Sequence, residues 1–341
     1  MATGYMQEKY EDIPGNETNT PTLSTKLLYS PLITANVQLG PSPLDRDDEN
    51  RNQDEPLPLQ PDSYTPTWET ESRAYPDLIG FRLKELLGAP TTTVGDGVIT
   101  DPDAAAIPTG AYKHVWTAPF GPTGASPITS QKQLSYADQG VYFKAKGCAA
   151  EKLDIESPEE GGVRVKASGP LLYLSRLDAD PSLTPSYESL ATRPFTRGGL
   201  SLTWLSGGGT VEDFSLSVSN PVEVVRSLGI ASRFPDVMEK GEGLITFSGS
   251  IPKRQLDSTD WDALLNSTGF AAVAKWVSDT VIASAYTHKL WVSMSNAQYT
   301  DGSQDDLSNK RRHGASFDFK ATNAGSASVA VTLVNATSSY S

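Results

Sequence analysis

The sequence predicts a mainly β protein: a β-sandwich or barrel with one or two flanking helices and long loops. Three observations carry that reading. Apolar and polar residues alternate with period two in several short runs, most clearly over 152–156 and 211–219. The 24 prolines and 28 glycines are scattered as turn punctuation between those runs. The runs recur in close succession from residue 141 onward, and no exact repeat is visible.

Taken in order, the first twenty residues are polar and read as a flexible N-terminal arm, leaving 21–341 as the β domain. Leu27–Leu39 has the composition of a strand. Gly40–Trp68 carries the acidic stretch Asp45-Arg-Asp-Asp-Glu-Asn-Arg-Asn-Gln-Asp-Glu and reads as one long exposed loop, at about 40–68. Asp77–Leu87 predicts a helix, because Ile79, Leu83, Leu86 and Leu87 share a face and Gly88 and Pro90 end the run. Val94–Ser130 is rich in Pro, Gly and Thr and reads as mostly irregular, with room for an inserted region at about 90–135. Strands are then expected at 141–146, 151–156, 162–168, 171–176, 200–205, 211–219, 244–251, 289–294, 315–320 and 328–334. A helix pair interrupts them. Thr259–Leu265 follows a cap at Asp257 or Ser258, and Phe270–Ile282 places Phe270, Val273, Ala274 and Val277 at helical spacing.

Two strands define the sheet best. In one, Leu153 and Ile155 face a core while Lys152, Asp154 and Glu156 face away. In the other, Phe214, Leu216 and Val218 point inward and Asp213, Ser215, Ser217 and Ser219 outward. A sheet of this kind covers a core with one face and lines a wet surface with the other.

Composition excludes several classes. A formal charge of −13 opposes ordinary nucleic-acid binding, which needs a basic footprint on the phosphates. Cys148 is the only cysteine, so no internal disulfide framework forms, and it reads as a small packing residue. The polar N-terminus is unlike a secretory signal, and no run approaches the roughly 18 apolar residues of a membrane helix. Synthesis in a reducing cytoplasm, with no membrane partner, is the expectation.

Catalytic chemistry is not apparent. His114, His288 and His313 lack metal-ligand spacing and read as structural or surface residues. No zincin, nucleophile-elbow or phosphate-loop motif occurs. Asp45, Asp47 and Glu49 resemble the start of a calcium loop, but its sixth position is Asn50 and its twelfth Pro56, so no metal and no cofactor are expected. Glu159 with Glu160, and Asp305 with Asp306, are carboxylate pairs without a demonstrable cleft. Lys310-Arg-Arg-His is the one basic cluster, and an interface salt bridge suits it better than DNA contact.

The order of these pieces resembles the major tail tube proteins of long-tailed, siphovirus-like bacteriophages. The resemblance rests on Tyr142-Phe-Lys-Ala-Lys-Gly-Cys-Ala-Ala-Glu-Lys-Leu-Asp-Ile-Glu followed by Val163-Arg-Val-Lys-Ala-Ser-Gly. It rests also on Val211-Glu-Asp-Phe-Ser-Leu-Ser-Val-Ser-Asn, Leu244-Ile-Thr-Phe-Ser-Gly-Ser and Asp257-Ser-Thr-Asp-Trp-Asp-Ala-Leu-Leu, and covers roughly 140–340 in pattern. It implies a non-enzymatic virion protein, made in the host cytoplasm, that closes six copies, or three doubled ones, into a ring. The rings stack into a hollow tail tube passing double-stranded DNA, with tape measure and tail terminator proteins as partners. Under that reading Asp154, Glu156, Asp213, Ser215 and Ser217 are candidates to face an acidic lumen. The alternatives are a receptor- or carbohydrate-binding β-sandwich at a virion tip, stacking on Tyr64, Trp68, Tyr112 and Trp116, and a carboxylate hydrolase.

Overall fold

In the computed structural model, the structure describes residues 5–10, 32–44, 60–118, 132–138, 141–177, 192–205, 211, 213–226, 234–241, 244–253, 258–304, 315–322 and 328–340. The N-terminal third holds β1 (Tyr5–Tyr10), β2 (Leu32–Gln38), β3 (Pro41–Leu44), β4 (Gln60–Tyr64), β5 (Thr67–Arg73), helix α1 (Pro76–Leu87), β6 (Thr91–Val94) and β7 (Tyr112–Thr117). The middle holds β8 (Lys132–Asp138), β9 (Val141–Cys148), β10 (Lys152–Ser157), β11 (Arg164–Pro170), β12 (Tyr173–Leu177), β13 (Leu200–Thr203), β14 (Phe214–Ser219), β15 (Val222–Val225) and β16 (Val237–Lys240). The remainder is β17 (Thr246–Lys253), α2 (Ser258–Leu265), β18 (Phe270–Ala283), β19 (Tyr286–Gln304), β20 (Ala315–Ala321) and β21 (Val329–Asn335).

All the strand pairings described are antiparallel, and thirteen strands form one folded sheet. The fold line is β19. Its first half, Lys289–Met294, lies between β18 and β21, and its second half, Ala297–Gln304, pairs with β20. One layer is therefore β2-β5-β11-β10-β14-β17-β20 and the other is built from β13, β18, β21, β7 and β6. A register shift between Tyr299 and Asp301 marks the crossing, as expected where a bulge bends a strand from one layer to the next.

Period-two patterning fills the space between the layers. Leu153, Ile155, Phe214, Leu216 and Val218 are all buried, together with Phe247, Ile251, Phe317 and Phe319. From the opposite layer come Ala272, Ala274 and Trp276, whose Nε1 donates to Ser157 Oγ at 2.9 Å. Phe214 lies stacked with Phe319 at 6.0 Å and meets Trp204 edge-on, also at 6.0 Å, a geometry that suits the ring quadrupoles.

The sequence readings need four corrections. Phe270–Ile282 is not a helix but most of β18, with Phe270, Ala272, Ala274, Trp276 and Ser278 buried at strict alternation. The helical template matched Val273 and Val277, which are only half-buried; β-branched Val273, Val277, Thr280, Val281 and Ile282 crowd a helix and suit a strand. The region read as irregular contains β7, paired between β6 and β21. The stretch read as one loop contains β3 paired with β4, while 45–59 lies outside the described residues. Within the stretch read as an arm, Tyr5–Tyr10 is a strand, and 1–4 and 11–20 lie outside the described residues.

Helix α1 begins at Pro76, where a missing N–H costs nothing, and stops at Gly88, whose φ of 86° only glycine adopts readily. It packs against β10, β19 and β21 and buries Leu78, Ile79, Leu83, Leu86 and Leu87. The segment after β21 turns back onto this helix. Thr337 Oγ1 donates to Asp77 Oδ1 at 2.7 Å, and Tyr340 packs edge-on against Phe81 and His114. Gly80 makes room for that ring, since a Cβ there would stand 2.0 Å from Tyr340 Cζ.

Candidate functional site

Two surfaces stand out. The first is the outer face of the layer β2-β5-β11-β10-β14-β17-β20, which carries the residues that the sequence marked. Asp154 is half-buried and pairs across to Lys166 on β11 and Ser217 on β14. Glu156 is exposed and stands between Arg164 and Ser215. Ser215 and Ser217 continue the face toward Ser250 and Ser248 of β17. Asp213 is exposed but precedes β14, which starts at Phe214 rather than at Val211.

The face divides into a charged half and a hydroxyl half. In the charged half Lys152 reaches Asp154 at 3.0 Å, Lys166 reaches Glu69 at 3.1 Å and Arg164 reaches Glu71 at 3.2 Å. The hydrogen bond that Lys166 donates to Glu69 holds its ammonium above its ordinary value. In the hydroxyl half the Oγ atoms of Ser250 and Ser316 are 3.1 Å apart, and Ser215 Oγ accepts from Ser250 N at 3.2 Å.

This face is not acidic. Glu69, Glu71, Asp154, Glu156 and Asp318 are matched in number by Arg73, Lys152, Arg164, Lys166 and Lys320. The excess acid behind the formal charge of −13 lies elsewhere in the chain. Sequence reasoning missed the balance because Glu69 and Glu71 come from β5, far along the chain from their partners on β11.

The second surface is a separate four-stranded sheet in the order β1-β8-β9-β12. It continues the β10–β11 hairpin: β9 leads into β10, and β11 into β12. The bend falls at Gly147, in the left-handed region at φ 62°, and at Gly169, where a Cβ would stand 2.1 Å from Ala149 O. Trp68 Nε1 donates to that same Ala149 carbonyl at 3.0 Å. The sheet ends in β1 on one side and β12 on the other, each with one described strand neighbour.

The remaining polar groups hold structure together. Lys253 and Asp260 form an ion pair of 2.6 Å with both side chains nearly inaccessible. Tyr299 donates to the same carboxylate at 2.6 Å and accepts from Trp204 Nε1 at 3.0 Å. Burial pushes the Asp101 carboxyl up, but hydrogen bonds from Lys289, Tyr286 and the Ala105 N–H outweigh it and hold the group below its ordinary value. Burial and the bond to Asp101 push the Tyr286 phenol up. His114 Nε2 lies 2.9 Å from Thr337 O, and burial lowers its imidazole despite that contact. Burial lowers His288 as well, against the field of Asp77.

Trp68 and Trp116 are buried, so the proposed stacking platform keeps only the half-buried Tyr64 and Tyr112. Cys148 is buried. Among the described residues, no group of three or more His, Cys, Asp or Glu is placed to hold a metal ion, and no helix is long and apolar enough to cross a membrane. Asp45, Asp47, Glu49, Asp305, Asp306, Lys310 and His313 lie outside the described residues.

The fold is an antiparallel β scaffold whose surface charges pair across neighbouring strands. A family model for phage tail tube proteins matches residues 2–331, and the chain belongs to that family. It is thus a structural component of a phage tail, as the resemblance read from Tyr142–Glu156 implied. No curated protein matches the sequence.

Proposed function

We propose that the protein assembles into rings that stack as a hollow, non-enzymatic tail tube, through which double-stranded DNA leaves the capsid. Beside the family membership, the observation that carries this reading is the four-stranded sheet with β1 and β12 at its two ends. Strand edges without a described neighbour invite pairing with another chain, and two different edges on one subunit make a heterologous contact, which gives a ring when the rotation closes. Six copies, or three doubled ones, would complete it. A siphovirus-like tail, tape measure and terminator partners, and synthesis in the host cytoplasm complete the proposal.

Within the tube, Asp154, Glu156, Asp213, Ser215 and Ser217 are proposed to line the lumen. The sheet face shared by Asp154, Glu156, Ser215 and Ser217 is charge-compensated, so it would neither grip the DNA phosphates nor repel them strongly. The domain reading stays with this proposal in amended form: residues 1–20 as an assembly arm that carries strand β1, ahead of one β domain, 21–341.

Negative-stain electron microscopy of the concentrated protein tests the reading. Uniform hollow rings or tubes are the expected outcome. Monodisperse particles at every salt and protein concentration, also in the presence of the tape measure protein, would refute it.

A further inference from the structure

We propose that β1 is exchanged between copies, so that Tyr5–Tyr10 of one subunit completes the four-stranded sheet of its neighbour. The inference rests on the ring reading above and specifies which strand joins one subunit to the next.

Three observations point to it. First, β1 is an end strand, and among the described residues its pairing is to β8 alone, in an unbroken register from Tyr5↔Ala137 to Tyr10↔Lys132. The element with which it shares appreciable contact is that same strand. Such a strand detaches without disturbing the thirteen-stranded sheet.

Second, β1 stands apart in the chain from what it pairs with. More than 120 residues separate it from β8, while the next strand in sequence, β2, ends the other sheet against β5. Twenty-one residues, 11–31, connect the two sheets. At full extension they span up to about 70 Å, roughly twice the diameter of a small domain.

Third, the exchange conserves every interaction. Each copy in a closed ring gives one β1 and receives one, so the ladder hydrogen bonds at β8 are the same in both arrangements. A neighbour held in a ring presents its β8 edge at an effective concentration comparable to that of the subunit's own edge. Exchange then adds a topological link to each interface without a new contact, which is the low-cost route to oligomers that swapped elements provide.

The register supplies the test. Gln7 and Ser135 are directly opposed, and antiparallel partners lie about 4.5–5.5 Å apart at Cα, within disulfide reach. The full chain carrying Gln7→Cys, Ser135→Cys and Cys148→Ala is oxidised both as dilute subunits and after ring formation. Both samples are then denatured without reductant and separated by size. Exchange predicts one monomer band from dilute subunits and, from rings, a ladder at multiples of 36.6 kDa. Rings that give only internally closed monomers would overturn it. Single-cysteine controls, which can form at most one disulfide per chain, must stay monomeric; a linked dimer from either control also overturns it, because the link would then join like positions. If the triple variant makes no rings, the wild-type chain lacking residues 1–10 decides. Exchange predicts that its rings fall apart and are not restored by a free Tyr5–Tyr10 peptide, which fills the β8 edge without linking copies; rings that persist, or that the peptide restores, overturn it. Absence of rings from the wild-type protein itself would instead remove the tube reading, and this inference with it.

Discussion

Replacing Asp260 with Ala tests whether the buried ion pair fixes the corner where the two layers meet. Lys253 ends β17, Asp260 lies in the first turn of α2, and Tyr299 marks the crossing of β19, so one carboxylate ties three elements together. Lys253 is 2% exposed and Asp260 0%. Water therefore has little access to the place of the missing carboxylate, and the Lys253 ammonium stays buried without its Asp260 partner. Breaking one partner of such a pair costs about 3–5 kcal/mol. With a urea dependence of about 3 kcal/mol per molar, the unfolding midpoint of the subunit falls by about 1–1.7 M. Lys253→Met with Asp260→Leu removes both charges and should return to within about 1 kcal/mol of the wild type. Urea unfolding followed by tryptophan fluorescence reads all three proteins. A loss below about 1 kcal/mol for Asp260→Ala, or a double variant no better than the single, would refute the reasoning.

Two further outcomes follow from backbone strain and titration. The β18–β19 hairpin turns through Ser284 and Ala285 at φ 47° and 66°, consecutive left-handed residues that Asn and Gly accept more readily. Ser284→Asn with Ala285→Gly should gain about 1–2 kcal/mol, seen as a rise of a few degrees in the melting temperature; a fall would show the tip to be unstrained. His114 and His288 are held below the ordinary imidazole value, so the unfolded chain takes up protons first, near pH 6.5. Their contribution is intact above that pH and lost as pH falls through the lower folded values. The urea midpoint should decline from about pH 6.5 downward, and less steeply in His114→Gln; a flat profile would contradict the burial of neutral imidazoles.

Legibility in the sequence followed burial. In β10 and β14 one face is buried and the other wet, so alternation named Leu153, Ile155, Phe214, Leu216 and Val218 directly. Helix α1 carries its own start and stop in Pro76 and Gly88. β18 was misread because alanines at 272 and 274 weaken the apolar contrast between odd and even positions, leaving a fortuitous helical spacing. β7 hides its inward residues behind a polar one, since buried His114 is satisfied by Thr92, Asn335 and Thr337. Partners far apart in the chain left no local trace at all. Nothing in Tyr5–Tyr10 names β8, and nothing in Glu69 or Glu71 announces Lys166 or Arg164. The charge of the candidate lumen face was therefore invisible until the strand order was known.

That charge offers a direct test of which way the face points. Asp154→Lys with Glu156→Lys turns a balanced face into a basic one, because replacing two carboxylates by two ammonium groups raises the net charge by about four per copy. Asp154 takes part in a surface pair with Lys152, worth about 0–1 kcal/mol, and Glu156 is exposed, so the fold and the rings should survive. A basic surface binds double-stranded DNA by releasing counterions, and the affinity falls steeply as salt rises. The useful contrast is between linear DNA and a covalently closed circle. A lumen admits DNA only by its end, whereas an outer surface takes both. Assembled variant tubes should retain linear duplex in a salt-dependent manner and leave the closed circle free, while wild-type tubes retain neither. Equal retention of both would put Asp154 and Glu156 on the outside of the tube and shift the lining to the four-stranded sheet.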